Sequence, residues 1–277
     1  MRRLYDLKVF CGGAPFNVAV NAKRAGARVG FLGRVGNDLI GAFLERESKK
    51  ADLDLLELQK DEQRSTTLAF VTLTDGERDF SFFRNDTADY NIDIEGIDFS
   101  LIKDINIMHL GTLMLSEKVG RECAAKIIDV ASSLGAKLSF DLNFRKDTYE
   151  SEEQAIGIYK EFIDKADIIK FSEEELELFT GIKDVKSAIQ SFYKENSLVL
   201  VTLGSRGSAY YYNGSFGIVK TQAVKPIDTT GAGDAFFGAF LACIEGKEYT
   251  EENLVSALIK GNKAGAEATQ FLGAIKL

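Results

Sequence analysis

Along most of the chain, apolar runs rich in β-branched residues alternate with stretches whose apolar residues recur at helical spacing. Strands are expected at Val29–Leu32, Ile105–Leu110, Lys137–Asp141, Asp167–Phe171 and Leu198–Leu203. Helices are expected at Asn17–Arg24, Glu117–Leu134, Glu152–Asp164 and Lys186–Lys194, with two more at Ala232–Ile244 and Glu251–Thr269. Such alternation predicts an α/β fold, with a mostly parallel sheet covered by helices on both faces. Two hairpins interrupt it. Ala209–Tyr212 and Phe216–Val219 flank Asn213-Gly214, while Thr66–Leu73 and Arg78–Arg84 bracket Thr74-Asp75-Gly76-Glu77. The second of these has no obvious place in the sheet and reads as an edge, a lid or a dimer surface.

Polar clusters follow the strand ends. Gly111-Thr112, then Asp141, Asn143 and Arg145, then Ser172 with Glu173–Glu175, then Thr202 with Gly204–Gly207 leave the same edge of the expected sheet. Ligands of open α/β sheets bind beyond the carboxyl ends of the strands. Any one cluster is ordinary loop chemistry, but four in succession favour a site.

The most informative stretch is Asp228-Thr229-Thr230-Gly231-Ala232-Gly233-Asp234, which runs directly into the apolar helix AFFGAFLA. Unpaired N–H groups at a helix N-terminus receive anions, and glycine lets a phosphate approach them. Asp234 at that junction suits a general base, although a helix cap is an equal alternative on this run alone. Phosphoryl transfer needs a base, donors around the transferring group and a cation. Asp234 is the candidate base, the N–H groups of Gly231, Ala232 and Gly233 the donors, and Arg145 a partner for phosphate oxygens. Glu175 is the candidate to hold Mg²⁺ through water, against the alternative of a solvated acidic helix start.

Composition narrows the classes. The net charge of −8, with dispersed basic residues, argues against nucleic acid as a partner. No apolar run reaches membrane-spanning length, and the N-terminus lacks a signal-peptide core. Three scattered cysteines favour a reducing compartment, with the cytoplasm as the default. The single histidine, His109, reads as a core or strand-end residue, which leaves little material for a Ser-His-Asp or Cys-His mechanism. No G-x-x-x-x-G-K-[ST] occurs, and GAGDAFFG departs from the dinucleotide spacing G-x-G-x-x-G.

DTTGAGDAFFGAF resembles the C-terminal signature of the ribokinase-like carbohydrate kinases, the PfkB family, and CGGAPFNVAVNAKRAGARVGFLGRVGNDLIG resembles their N-terminal one. The likeness runs from about Phe10 to the last residue. It implies one domain over residues 1–277, a ribokinase-like three-layer α/β/α sandwich with a small β-sheet lid, and lid segments near 8–12 and 66–84. By position it makes Asp234 the base and Gly231, Ala232 and Gly233 the anion hole. It places Gly12, Gly13 and Asn17 on the sugar, and Thr202, Gly204, Gly207 and Asn262 on ATP. Carbonyls of Asp228 and Thr230 would serve a monovalent cation such as K⁺, and the lid hairpin would be a surface for a homodimer.

GGAPFNVAV, FFRNDTAD, FDLNFR and IIKFSEEELELFTG look most like bacterial fructokinases. The implied reaction is ATP-dependent phosphorylation of fructose to fructose 6-phosphate, with Mg²⁺. The alternatives are a 2-keto-3-deoxygluconate kinase, for which Arg84 or Arg145 would supply the extra cation, and a non-catalytic binder of sugar or nucleotide. Two departures stand out. Ser172 occupies the place of the asparagine in the family's N-x-x-E, with Glu175 retained. The family's first strand and its sugar-binding aspartate are also absent before Gly12-Gly13, and Asp6 lies too close to replace it. The expectation is that Met1 is an internal start of a longer natural protein, which a native mass of 30.5 kDa would refute. The short form is expected to bind sugar weakly and to be of low stability.

Overall fold

The computed structural model describes residues 8–74, 77–99, 104–192 and 194–277. The Asp75-Gly76 turn, Met1 and Asp6 lie outside them. A first helix, α1 (Ala14–Arg24), leads to strand β1 (Gly30–Gly36), helix α2 (Leu39–Ser48) and strand β2 (Leu55–Asp61). The hairpin β3 (Leu68–Thr74) and β4 (Glu77–Phe83) follows. The main body then alternates: β5 (Ile107–Leu110), α3 (Lys118–Ser133), β6 (Lys137–Asp141), α4 (Glu152–Ile163), β7 (Ile168–Ser172), α5 (Glu173–Thr180), α6 (Val185–Phe192) and β8 (Leu198–Thr202). The hairpin β9 (Ser208–Tyr212) and β10 (Ser215–Val219) precedes α7 (Ala232–Ile244) and α8 (Glu251–Ala268).

Six strands form the central sheet in the order β10-β9-β8-β7-β6-β5. β5 to β8 are parallel, and the β9–β10 hairpin adds two antiparallel strands at one edge. The parallel strands are apolar on both sides because helices cover both. Leu138, Phe140, Ile169, Phe171, Val199 and Val201 pack into the core on one face. Ile168, Leu198, Leu200 and Tyr210 pack against Phe236, Phe237, Phe240 and Leu258 of α7 and α8 on the other. The β9–β10 turn has Asn213 at φ 43° and Gly214 at φ 88°, the left-handed pair that a tight hairpin requires.

Several sequence expectations shift. α2 and β2 carry no clear periodic signal, and β2 gains its place only by pairing in parallel with β1. Among the described residues β1–β2 forms a sheet of its own and does not join β5. β3–β4 likewise stands apart as a two-stranded antiparallel sheet. Residues 8–12, expected near the lid, carry no strand.

Candidate active site

The turn before α7 is braced by Asp228. Its Oδ1 accepts from Thr230 N at 2.9 Å and Thr230 Oγ1 at 2.7 Å, and its Oδ2 accepts from Gly273 N at 2.9 Å. Gly231 then sits at φ 76°, where a β-carbon would stand 2.6 Å from the Ala274 carbonyl oxygen. Glycine meets both demands, the left-handed backbone and the close approach. The Ala232 N–H already donates to Thr229 O at 3.2 Å, and no side chain caps the helix. The donors of the first turn that point out of the helix ladder are therefore the N–H groups of Gly233 and Asp234.

Asp234 meets Asn17 from the other end of the chain. Gly13 (φ 111°) starts α1, Pro15 occupies its first turn, and Asn17 projects from the next turn, its N–H bonded to Gly13 O at 2.9 Å. α1 lies close against α7 because Gly238 leaves room for the Val18 carbonyl. In that contact Asn17 Nδ2 donates to Asp234 Oδ2 at 2.7 Å. Asn17 Oδ1 is buried and has no protein partner, which leaves an acceptor for a substrate hydroxyl.

Burial and the nearby Asp141 carboxylate push the Asp234 carboxyl up to about 6, against the Asn17 hydrogen bond, Lys170 and Arg145. A base with its pKa just below neutrality is ionised when needed and still able to take a proton. Arg145, expected on phosphate oxygens, is thus within electrostatic reach of Asp234. Behind them lies an ion pair: Lys170 Nζ donates to Asp141 Oδ1 and Oδ2 at 2.7 and 2.8 Å, with both residues buried. Burial works against the Lys170 charge, but Asp141, Glu175 and Asp234 outweigh it and hold its pKa above the ordinary value. Lys170 escaped sequence reasoning; the available signal was a lysine inside the apolar strand IIKFS. His109 bonds Ser139 Oγ at 3.1 Å, stacks edge-on against Phe237, and is driven down to about 4 by burial, so it is neutral.

Glu175 closes a capping box at the start of α5. Its Oε2 accepts from Ser172 N and its Oε1 from Phe144 N, each at 2.7 Å, while Ser172 Oγ accepts from Glu175 N at 3.2 Å. Glu175 is therefore a helix start that is bonded to backbone and not merely solvated, and the cap ties the loop after β6 to the loop after β7. Burial raises the Glu175 pKa. Among the described residues no three His, Cys, Asp or Glu side chains converge as a metal cage. The donor set suits a hydrated divalent ion carried on phosphates better than a protein-enclosed one.

Beyond β8, a cleft of about 360 Å³ is lined by Leu203, Ser205, Arg206, Ile218, Lys220 and Thr221. Gly204 and Gly207, at φ 57° and 106°, shape its wall, and a β-carbon on Gly207 would collide with the Val219 carbonyl. Thr202 Oγ1 contacts Phe171 O at 3.3 Å, and Asn262 Nδ2 donates to Val219 O at 3.0 Å, so both brace the wall of this cleft. A larger hollow of about 560 Å³ near Lys137, Tyr212 and Tyr249 opens at the amino end of β6, the wrong edge for Asp234. At the lid base, Arg84 Nε donates to Asp89 Oδ2 at 2.9 Å and Nη1 to Ser116 Oγ at 2.6 Å, and its guanidinium lies 4.6 Å from the centre of the Tyr90 ring. The Arg84 charge is therefore balanced within the chain.

Residues 3–277 match the model of the pfkB family carbohydrate kinases. The chain belongs to the PfkB family. This PfkB kinase is 40% identical over 270 residues to probable fructokinase-2 of Arabidopsis thaliana, covering 95% of its own length and 82% of that protein. It is 37% identical to fructokinase-1 of Zea mays, with 95% and 84% covered. Among solved structures, it matches fructokinase from Vibrio cholerae O395 in a fructose, ADP and calcium ion bound form with a TM-score of 0.85 at 32% identity, covering 96% of this chain and 87% of that one. Fructokinase from Xylella fastidiosa with bound ATP matches with a TM-score of 0.86 at 32% identity, with 95% and 85% covered. The ribokinase-like α/β fold of this carbohydrate kinase follows from these likenesses and from the sheet itself.

Proposed function

We propose that this PfkB kinase transfers the γ-phosphoryl group of ATP to fructose, giving fructose 6-phosphate and ADP. The observation that carries the reading is Asp234, held by Asn17 at 2.7 Å at the open N-terminus of α7 and poised near pH 6. Gly12, Gly13 and Asn17 bind and orient the sugar so that its hydroxyl points at Asp234. The hydroxyl oxygen attacks the γ-phosphorus, its proton passes to the Asp234 carboxylate, and the bond from γ-phosphorus to the bridging oxygen of ADP breaks. The Gly233 and Asp234 N–H groups, at the turn from Gly231 through Ala232, face the charge that develops on the phosphoryl oxygens, with Arg145 beside them. ATP lies in the cleft between the Thr202–Gly207 segment and β10, near Asn262. Glu175 would hold Mg²⁺, which would supply charge neutralisation on the nucleotide phosphates. Main-chain carbonyls of Asp228 and Thr230 would hold a monovalent cation beside the anion turn.

A neutral sugar fits better than a sugar acid because Arg84, at the lid base, is already paired with Asp89. The β3–β4 hairpin serves as a lid, and its exposed Phe70 and Phe83, whose rings meet edge-on, lie on the face on which a second copy would dock. The three cysteines are free and buried, in keeping with a cytoplasmic enzyme. ADP release measured with fructose, ribose, 2-keto-3-deoxygluconate and a nucleoside tests the assignment. Turnover is expected to be highest with fructose. A preference for the keto-acid would move the assignment to that sugar, and binding without turnover would make the chain a binder.

A further inference from the structure

The layer between the sheet and α7 is apolar except for one seam. His109, Ser139, Asp141 and Lys170 project from β5, β6 and β7 towards α7, with His109 opposite Ser139 and Asp141 opposite Lys170 in register. The seam ends where Lys170 pairs with Leu200 of β8, and it points at the first turn of α7. A buried ion pair of this kind is a poor source of stability, since a well-packed apolar pair in its place is often as stable or more so.

Its location supplies a reason. A β-carbon built on Gly233 would stand 3.2 Å from Lys170 Nζ and 3.7 Å from its Cε, and meets no atom of Asp141 within 4 Å. The ammonium end of the pair thus lies against the middle of the anion turn, while the Asp141 carboxylate stands farther from Gly233 but within electrostatic reach of Asp234. Charges in a water-poor layer act over longer distances than at the surface. An ammonium fixed behind the Gly233 and Asp234 N–H groups adds to the helix N-terminus instead of competing with it for the phosphoryl oxygens.

Resting on the kinase reading above, we infer that Lys170 is a positioning residue for phosphoryl transfer, a built-in cation behind the anion turn, with Asp141 as the anchor that keeps it charged and aimed. It does not touch the sugar or the nucleotide. It acts on the transition state through the turn, so its loss lowers kcat and leaves substrate binding nearly intact. Removal of a direct oxyanion donor typically lowers kcat about 100- to 1000-fold, and a cation acting through the backbone should account for about 10- to 100-fold.

The experiment compares the wild type, Lys170→Met and the double variant Asp141→Asn/Lys170→Met. Lys170→Met leaves a lone buried carboxylate and is expected to lose stability as well as kcat. The double variant removes both charges and is expected to unfold near the wild-type temperature. Its kcat should remain about 10- to 100-fold down, with KM for ATP and for fructose changed less than about threefold. A double variant with wild-type kcat would show the pair to be structural only and overturn the inference. Affinity for Mg-ADP with and without aluminium fluoride, a mimic of the transferring phosphoryl group, gives a readout that needs no sugar. The wild type should gain affinity when the fluoride is added and the double variant should not; equal gains would again overturn it. If the wild type fails to phosphorylate fructose, the substrate assignment falls while this second readout still decides the role of Lys170.

Discussion

Replacing Asp234 with asparagine should abolish turnover and, in the same protein, raise stability. The carboxyl is displaced from an ordinary 3.8 to about 6 by burial and by Asp141. At about 1.36 kcal/mol per pH unit, that corresponds to about 3 kcal/mol against the ionised form at neutral pH. The side chain keeps some contact with cleft water, so about 1–2 kcal/mol is the expected net effect of removing the charge. Asparagine keeps the shape, and its Oδ1 can still accept from Asn17.

The sign follows from proton counts. In the unfolded chain Asp234 loses its proton near 3.8, and in the folded chain near 6. Between those values the folded state holds more protons, so the Asp234 contribution to stability falls as pH rises and is fully lost above 6. The stabilisation by Asp234→Asn should be complete at about pH 7.5 and reduced to roughly a third at about pH 4.5. For a protein of 277 residues, 1–2 kcal/mol corresponds to a rise of roughly 2–4 °C in unfolding temperature. Thermal unfolding of the ligand-free wild type and variant at the two pH values is the assay. A variant no more stable than wild type at the higher pH would refute the claim that Asp234 is held charged against its surroundings. So would a gain that does not depend on pH. Retained turnover would remove Asp234 as the base, while ATP binding should survive the substitution.

Other perturbations separate the parts of the site. Asn17→Ala removes the bond that favours the ionised carboxylate, so the acidic limb of the kcat profile should move to higher pH while KM for the sugar rises. Gly207→Ala drives a methyl group into the Val219 carbonyl in a left-handed backbone; KM for ATP should rise several-fold while KM for the sugar holds. Ser172→Ala removes the side-chain half of the capping box and should lower stability by about 1 kcal/mol in denaturant titrations, with Mg²⁺ dependence kept, because the Ser172 and Phe144 N–H groups still hold Glu175.

Much of this protein was legible before any coordinates. Strands buried between helices read as short, largely apolar runs and a helix apolar all round reads as a buried one, so β6 and α7 appear in the sequence with the boundaries that they have in the fold. The Asp228–Asp234 run declares a helix N-terminus open to an anion, because its glycines serve a left-handed turn and a close approach that other residues would block. Short-range physics settles both. β2 was invisible since it becomes a strand only by lying beside β1. Arg84 could be read as a cation near the lid, but its partner Asp89 decides that the charge is spent inside the chain. Asn17 and Asp234 stand 217 residues apart, and their hydrogen bond exists only because Gly238 lets α1 close on α7. Whether Asp234 is a base or a cap was an even choice from its own neighbours. No side chain caps α7, and burial with the charges of Asp141, Lys170 and Arg145 sets the Asp234 pKa at about 6, which suits the proposed base; those charges act through space, along directions that only the packed structure defines.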